Sequence, residues 1–158
     1  MATMNVYCQI DGMKGECVEQ GHKDWCVVLG FEHQVDYPYD FREGRGKAEP
    51  SHGALTIIKP LDLASPMISE ACAKKKKVGK VALEFTRDNP KDGATETYYS
   101  ISLEDCRVVH VKPTMTDDPS AVKEYPHCEE VGFSYRKIVW KQVPGGKETQ
   151  FDFSNPTG

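Results

Sequence analysis

Six cysteines and five histidines are the residues best suited to chemistry in this chain of 158 residues. They are Cys8, Cys17, Cys26, Cys72, Cys106 and Cys128, with His22, His33, His52, His110 and His127. Together they could hold zinc or activate a thiol, but both chemistries need set spacings. The sequence has no CxxC pair, no HxH and no HExxH, so a zinc ribbon, a thioredoxin-like site and a zincin are all disfavoured. His127 and Cys128 are adjacent, and adjacent strand residues point to opposite faces, so they do not pair readily. His22 lies near Cys26 with no third group to orient it. His33 and His110 could point into a barrel as core or interface residues.

Nucleophile and phosphate signatures fail as well. No GxSxG elbow is present. The segment Gly44-Arg45-Gly46-Lys47 matches neither GxGxxG nor GxxxxGK[ST]. The chain is therefore read as not an enzyme, with no catalytic residue, no metal site and no cofactor.

Net charge is −4 with a pI near 5.7, which gives no general basic face for nucleic acid. No apolar run approaches the ~18 residues of a membrane span, so stable membrane insertion is not expected. The start MATMNVYCQI has neither a basic n-region nor an apolar h-region. Folding in the cytoplasm, without a cleaved signal peptide, is expected. There the thiols stay reduced and act as small hydrophobes.

The elements that must position these residues are mostly strands. Alternation with period two, broken by Gly, Pro and Asp clusters, runs through the chain. Strands are predicted at Asn5 to Ile10, from Trp25 toward Val35, at Gly53 to Lys59, Val81 to Arg87 and Thr95 to Leu103, at Arg107 to Val111, Glu129 to Val143 and Thr149 to Phe153. In the second, Trp25, Val27, Leu29, Phe31 and Val35 share the apolar face. Asp36 to Ser51 reads as a long loop, and a loop of that length usually serves function. Pro113 to Pro126 reads as a polar loop. Val131, Phe133 and Tyr135 share one parity and Ile138 and Trp140 the other, which predicts a bulge or a strand serving two surfaces.

One helix is predicted, with Ser65 as N-cap, Pro66 at the first helical position, and Met67, Ile68, Ala71 and Cys72 as its apolar stripe. Lys74 to Lys77 would be a solvated cap at its C-terminal end, and Gly79 its stop. The fold class is all-β: a mainly antiparallel β-barrel of two packed sheets with one short α-helix, in a single domain over residues 1–158.

Four stretches resemble the Hcp (haemolysin-coregulated protein) family. NVYCQIDGMKGECVEQGHKDWCVVLGFEH is similar to its opening, with a strand ending in IDG-x-KGE and an HKD-W step. SHGALTIIKPLDLASPMISEAC carries the family's His-Gly dipeptide, a strand ending at Lys, and D-x-ASP opening the helix: His52, Gly53, Lys59, Asp62, Ala64, Ser65 and Pro66. VGKVALEFTR resembles the strand after the helix, and EEVGFSYRKIVWKQV the late V-x-F-x-(aromatic)-x-x-I-x-W strand. The likeness runs from Met4 to about Phe153, in the family's order. The cysteine content, the Lys74 to Lys77 run and the short KETQFDFSNPTG ending depart from the family pattern.

The resemblance implies a structural tube subunit of a type VI secretion system. Six copies form a hexameric ring, and rings stack inside a contractile sheath. Partners would be the chain itself, sheath proteins, a spike protein at the tip, and small effector proteins carried in the lumen. The protein would be cytoplasmic and then secreted.

A ring needs a heterologous contact that closes, and stacking needs one that does not. Tyr37, Tyr39, Phe41 and Arg45 of the long loop are expected to mediate ring stacking, unless the aromatics fold back on their own barrel. Phe133, Tyr135, Ile138 and Trp140 are expected to form the inter-subunit strand, unless the parity switch is only an internal bulge. The alternatives are a monomeric β-barrel that binds a small ligand, and a metal or redox protein using the cysteines and histidines.

Overall fold

Alternation becomes architecture wherever two strands place their apolar rows together. A computed structural model describes residues 4–115 and 127–157 of the chain. The strands are β1 (Asn5–Ile10), β2 (Cys26–Val28), β3 (Gly30–Glu32), β4 (Val35–Asp36), β5 (Tyr39–Asp40), β6 (Arg45–Gly46), β7 (Ser51–His52) and β8 (Leu55–Pro60). Then come helix α1 (Ser65–Ala73) and β9 (Lys77–Asp88), β10 (Thr95–Met115), β11 (His127–Ser134), β12 (Lys137–Gln142) and β13 (Lys147–Asp152).

The main sheet runs β2-β1-β9-β10-β11-β8-β3, with β12 also on β10 and β13 on β12, and every pairing is antiparallel. The all-β class with one short helix holds. Two packed sheets closing as a barrel do not: a single nine-stranded sheet curls on itself and its ladder stays open. Its two ends, β2 and β3, are consecutive pieces of chain separated only by Leu29, whose N–H donates to the Ile58 carbonyl at 2.7 Å. One stretch of chain thus forms both ends of this path, while β13 leaves a further edge on the branch through β12.

Leu55, Ile57, Val81, Leu83, Leu103, Val131, Phe133 and Ile138 are wholly buried. Each is worth roughly 1.5–3 kcal/mol relative to an exposed position. Ile68 and Ala71 of α1 are buried with them, whereas Met67 is exposed.

Three sequence expectations are corrected here. The apolar face expected at Trp25, Val27, Leu29, Phe31 and Val35 is not the core face. Cys26 and Val28 are buried instead, Leu29 and Val35 are exposed, and only Phe31 returns to the register row of buried Ile57. The parity changes at Leu29, where the chain leaves β1 for β8. The N-cap falls on Ala64, with Ser65 as the first helical residue and Pro66 the second, where its missing N–H still costs no helical bond. Gly79 does not stop α1. It lies inside β9, and Lys75 supplies the left-handed residue (φ 58) after the helix. The N–H groups of Lys75 and Lys76 then donate back to the carbonyls of Cys72 and Ala71, a Schellman closure. Lys74 to Lys77 are all exposed, and Lys74 and Lys76 pair with Glu70.

The parity switch in the late strand is not a bulge of that strand, because its register against β10 is the same on both sides of the switch (Arg107 opposite Ser134, Glu104 opposite Lys137); it is a break between two strands with different outer neighbours. β11 and β12 lie end to end along β10, broken at Tyr135 and Arg136. Beyond the break the far neighbour changes from β8 to β13. Of the expected polar loop, Pro113 to Met115 belong to β10, and residues 116–126 lie outside the described residues.

Candidate functional site

The segment expected as an open loop is a hairpin arm. β4 pairs with β7 (Val35 opposite His52) and β5 with β6 (Tyr39 opposite Gly46, Asp40 opposite Arg45). Between the ladders Lys47 N–H donates to the Pro38 carbonyl at 2.9 Å. At the tip, the Asp40 carboxylate accepts from the N–H groups of Arg42 and Glu43, and Gly44 turns the chain at φ +67. Gly46 is needed for space: a Cβ there would overlap the Tyr37 ring.

Tyr37, Tyr39 and Phe41, expected at the stacking contact, lie side by side on the arm. Their rings meet edge to face in sequence, at centroid distances of 5.9 Å and 5.4 Å. They do not fold back on the body, since Phe41 is 90% exposed, Tyr37 58% and Tyr39 41%. The three rings form a contiguous exposed aromatic patch on a thin arm. Arg45 does not join it; its guanidinium is held by Glu43 at 2.7 Å and both side chains are exposed.

Tyr135 sits at the root of this arm. Its hydroxyl lies 2.8 Å from His33 Nε2 and 2.7 Å from His52 Nδ1. His52 stacks on Phe151 at 4.7 Å, and Phe153 packs against both His52 and Tyr135. Burial lowers the His33 pKa, and the neighbouring His52 lowers it further. Burial lowers His52 as well and pushes Tyr135 up to about 12. Sequence reading linked none of these three, because 102 residues separate His33 from Tyr135.

The expected inter-subunit strand needs correction at two of its four residues. Phe133 and Ile138 are fully buried in this chain's own core, so neither has surface left for a neighbour. Tyr135 is engaged at the arm root. Trp140, on β12 between Ile101 and Thr149, packs against the core but stays partly exposed. Among the described strands β13 pairs only with β12, so its outer edge is open.

Sequence reading missed a buried charge cluster beneath the start of α1. Lys59 is fully buried, and its ammonium donates to Glu129 at 2.7 Å, to Asp62 at 2.9 Å and to the Pro60 carbonyl at 2.9 Å. Ser65 hydroxyl donates to Glu129 at 2.8 Å and accepts from Asp62 N–H, and Asp62 accepts from Ala64 N–H. Burial would lower the Lys59 pKa, but the bonds to Glu129 and Asp62 outweigh it and the pKa is raised. A signal was present: Lys59 prolongs the inward row Leu55–Ile57, and Glu129 the row Val131–Phe133. The two rows end in opposite charges at paired positions.

Cys8, Cys26 and Cys106 line the same core. Burial pushes the Cys26 and Cys106 thiols up to about 12 and Cys8 well above its usual range. Such thiols are poor nucleophiles at neutral pH. The six cysteines form no disulfide, and no three His, Cys, Asp or Glu side chains among the described residues are grouped as metal ligands. His110 is exposed and pairs with Glu130 rather than pointing inward. His22 stacks on Tyr7 at 4.2 Å and meets Glu84 at 2.8 Å.

A family model described as "Type VI secretion system effector, Hcp" matches residues 7–142. The chain is 33% identical over 144 residues to the "Major exported protein" of Pseudomonas aeruginosa, covering 90% of this chain and 83% of that one. Among solved structures it is similar to the secreted protein Hcp3 from Pseudomonas aeruginosa, with a TM-score of 0.77 and 28% identity over 95% of this chain and 98% of that one. Its fold is also that of an Hcp1 variant from Escherichia coli, with a TM-score of 0.80 and 23% identity over 95% and 97% of the two chains.

Proposed function

The chain belongs to the Hcp family of the type VI secretion system, and from that premise we propose that it is a secreted, non-enzymatic subunit of that system's inner tube. Six copies close into a ring through a heterologous contact, and rings stack through a second contact that repeats along the axis. Sheath proteins drive the tube outward, a spike protein caps it, and small effector proteins travel in its lumen.

The observation that carries this reading is the arm. Its three exposed aromatic rings satisfy no need of the body, whose core is complete without them. The arm's own ladders hold those rings in place before any partner arrives, which lowers the ordering cost of association.

Electron microscopy of the purified protein tests the reading. Rings that stack are expected. Replacing both Tyr39 and Phe41 by Asp is expected to leave rings intact and raise the concentration needed for stacking at least ~30-fold, the worth of one or two hot-spot side chains. Stacks that persist unchanged would remove the arm from the contact.

The ring contact is assigned to the β12–β13 side, where Trp140 keeps surface and the edge is open. Trp140→Ala is expected to weaken the hexamer by about 2 kcal/mol or more, read by native mass spectrometry across a dilution series. A hexamer of unchanged dilution stability would place the contact elsewhere.

A further inference from the structure

The arm leaves the body on two strands, and one hydroxyl touches both. His33 precedes β4 and His52 belongs to β7, which are joined by the Val35–His52 pairing and by Gly53 N–H donating to the Gln34 carbonyl at 2.9 Å. Tyr135 approaches from the body, at the break between β11 and β12. We propose that the His33–Tyr135–His52 contact is an acid-sensitive latch, which holds the arm in one orientation while both imidazoles are neutral and frees it when they take up protons. This rests on reading the arm as the stacking contact, and names how that contact is regulated.

The hydrogen-bond arithmetic makes the latch sensitive. A tyrosine hydroxyl has one proton, so it donates to one imidazole nitrogen and accepts an N–H from the other. A protonated imidazole carries N–H on both nitrogens and accepts nothing. With both rings protonated, neither ring can accept the Tyr135 proton, which must leave the pair for water, and two cations are held 2.8 Å and 2.7 Å from one oxygen, where they repel each other.

The charged groups on the packed elements are Glu32 and Asp36 beside His33, Arg136 beside Tyr135, Asp152 between Phe151 and Phe153, and the His110–Glu130 pair near Ala54. Asp36 is bound to Gln34, Asp152 and Asp105 to Arg136, and Glu130 to His110. Among the described residues no carboxylate contacts either imidazole. A cavity of about 130 Å³ lined by His52, Gly53, Ala54, Ser134, Tyr135 and Phe153 gives water and protons access.

The sign follows from the lowered imidazole values. The latch is fully formed above the ordinary imidazole value of 6.5 and is lost as pH falls through the lowered ones. The neutral state is the folded, latched one.

Hydrogen exchange of the arm segment 35–52 tests this, on protein too dilute to stack, with the β10 segment 97–104 as an internal control. Wild type is compared at each pH with His33→Gln/His52→Gln, which keeps hydrogen-bonding side chains but cannot titrate, so the intrinsic pH dependence of exchange cancels. The wild-type to variant ratio of arm exchange is expected to rise about tenfold between ~pH 7.5 and ~pH 5, with the control segment unchanged. A ratio that stays constant overturns the latch. Should the double variant fold poorly, Tyr135→Phe keeps the ring and is expected to make the arm exchange fast at both pH values; an arm as slow as wild type at neutral pH would overturn the proposal equally. If the arm loosens in acid while tubes remain and Tyr39→Asp/Phe41→Asp still stacks, the latch stands and the stacking role of the arm fails.

Discussion

Replacing Lys59 by methionine is expected to cost about 3–5 kcal/mol of stability, because it strands two carboxylates in a site built around one ammonium. Lys59 is fully buried, and Glu129 is 1% and Asp62 6% exposed in their side chains. Glu129 has little else to rely on. One oxygen meets Lys59 and Ser65, and the other, Oε2, has no hydrogen-bond partner in the structure. An unpaired charge there cannot reach water without opening the junction of β8, β11 and α1. The deficit is expected to shrink in acid, where the stranded carboxylates can be neutralised by protons. Removing the charges together, as Lys59→Met, Glu129→Leu and Asp62→Asn, is expected to recover most of the loss. Urea unfolding at one fixed protein concentration measures this, since assembly also adds stability. A Lys59→Met protein within ~1 kcal/mol of wild type would show that the cluster is solvated and the site open.

The same cluster joins the residues of the short stretch that carried the family resemblance. Lys59, Asp62, Ala64, Ser65 and Pro66 are not a row of independent positions. Lys59 and Asp62 are an ion pair, Asp62 and Ser65 hydrogen-bond to each other across the approach to the helix, and Ser65 reaches Glu129. Ser65 read as an N-cap because Ser is a favoured capping residue and Pro fits the first helical position after it. Its hydroxyl instead turns toward Glu129, a residue far along the chain whose role no local pattern could show.

Alternation was legible where one face alone is apolar. Val81 and Leu83 against Ala82 and Glu84 marked a strand, and β9 contains it but starts earlier, at Lys77, ahead of Gly79. From Trp25 to Val35 both faces carry apolar groups, and the larger side chains pointed to the wrong parity. Cys26 and Val28 are smaller than Trp25 and Leu29, but they are the pair that fits opposite Cys8 and Val6. Size does not decide a face when the space inside the curl is narrow. Ring closure around a tyrosine hydroxyl was equally hidden, since His33, His52 and Tyr135 meet only after β8 and β11 pair. The aromatic residues of the arm were legible as a cluster in a long polar segment, but its hairpin form depended on two-residue ladders too short to announce themselves.

Of the two glycines in Ile10-Asp11-Gly12-Met13-Lys14-Gly15, the second is expected to be the more costly to lose. Gly12 takes φ +75, and a Cβ built there meets nothing within 4 Å. Gly12→Ala therefore carries only the backbone strain of a left-handed residue, about 1–2 kcal/mol. Gly15 has no such φ, but its Cβ would lie 2.5 Å from the Trp25 carbonyl oxygen and 2.8 Å from Cys26 N. Those are backbone atoms, which no rotamer change can move. They are also the start of β2, so displacing them shifts Cys26 against Cys8 and disturbs one end of the sheet. The close approach is secured by Gly15 N–H donating to the Asp24 carbonyl at 2.7 Å and Cys17 N–H to Trp25 at 2.9 Å. Overpacking at such a contact is expected to cost about 3 kcal/mol or more for Gly15→Ala. Thermal or urea unfolding of the two single variants decides it. Were Gly12→Ala the worse of the two, conformational freedom rather than space would be what the motif protects, and the packing of 15–17 on 24–26 would not be what sets the position of β2.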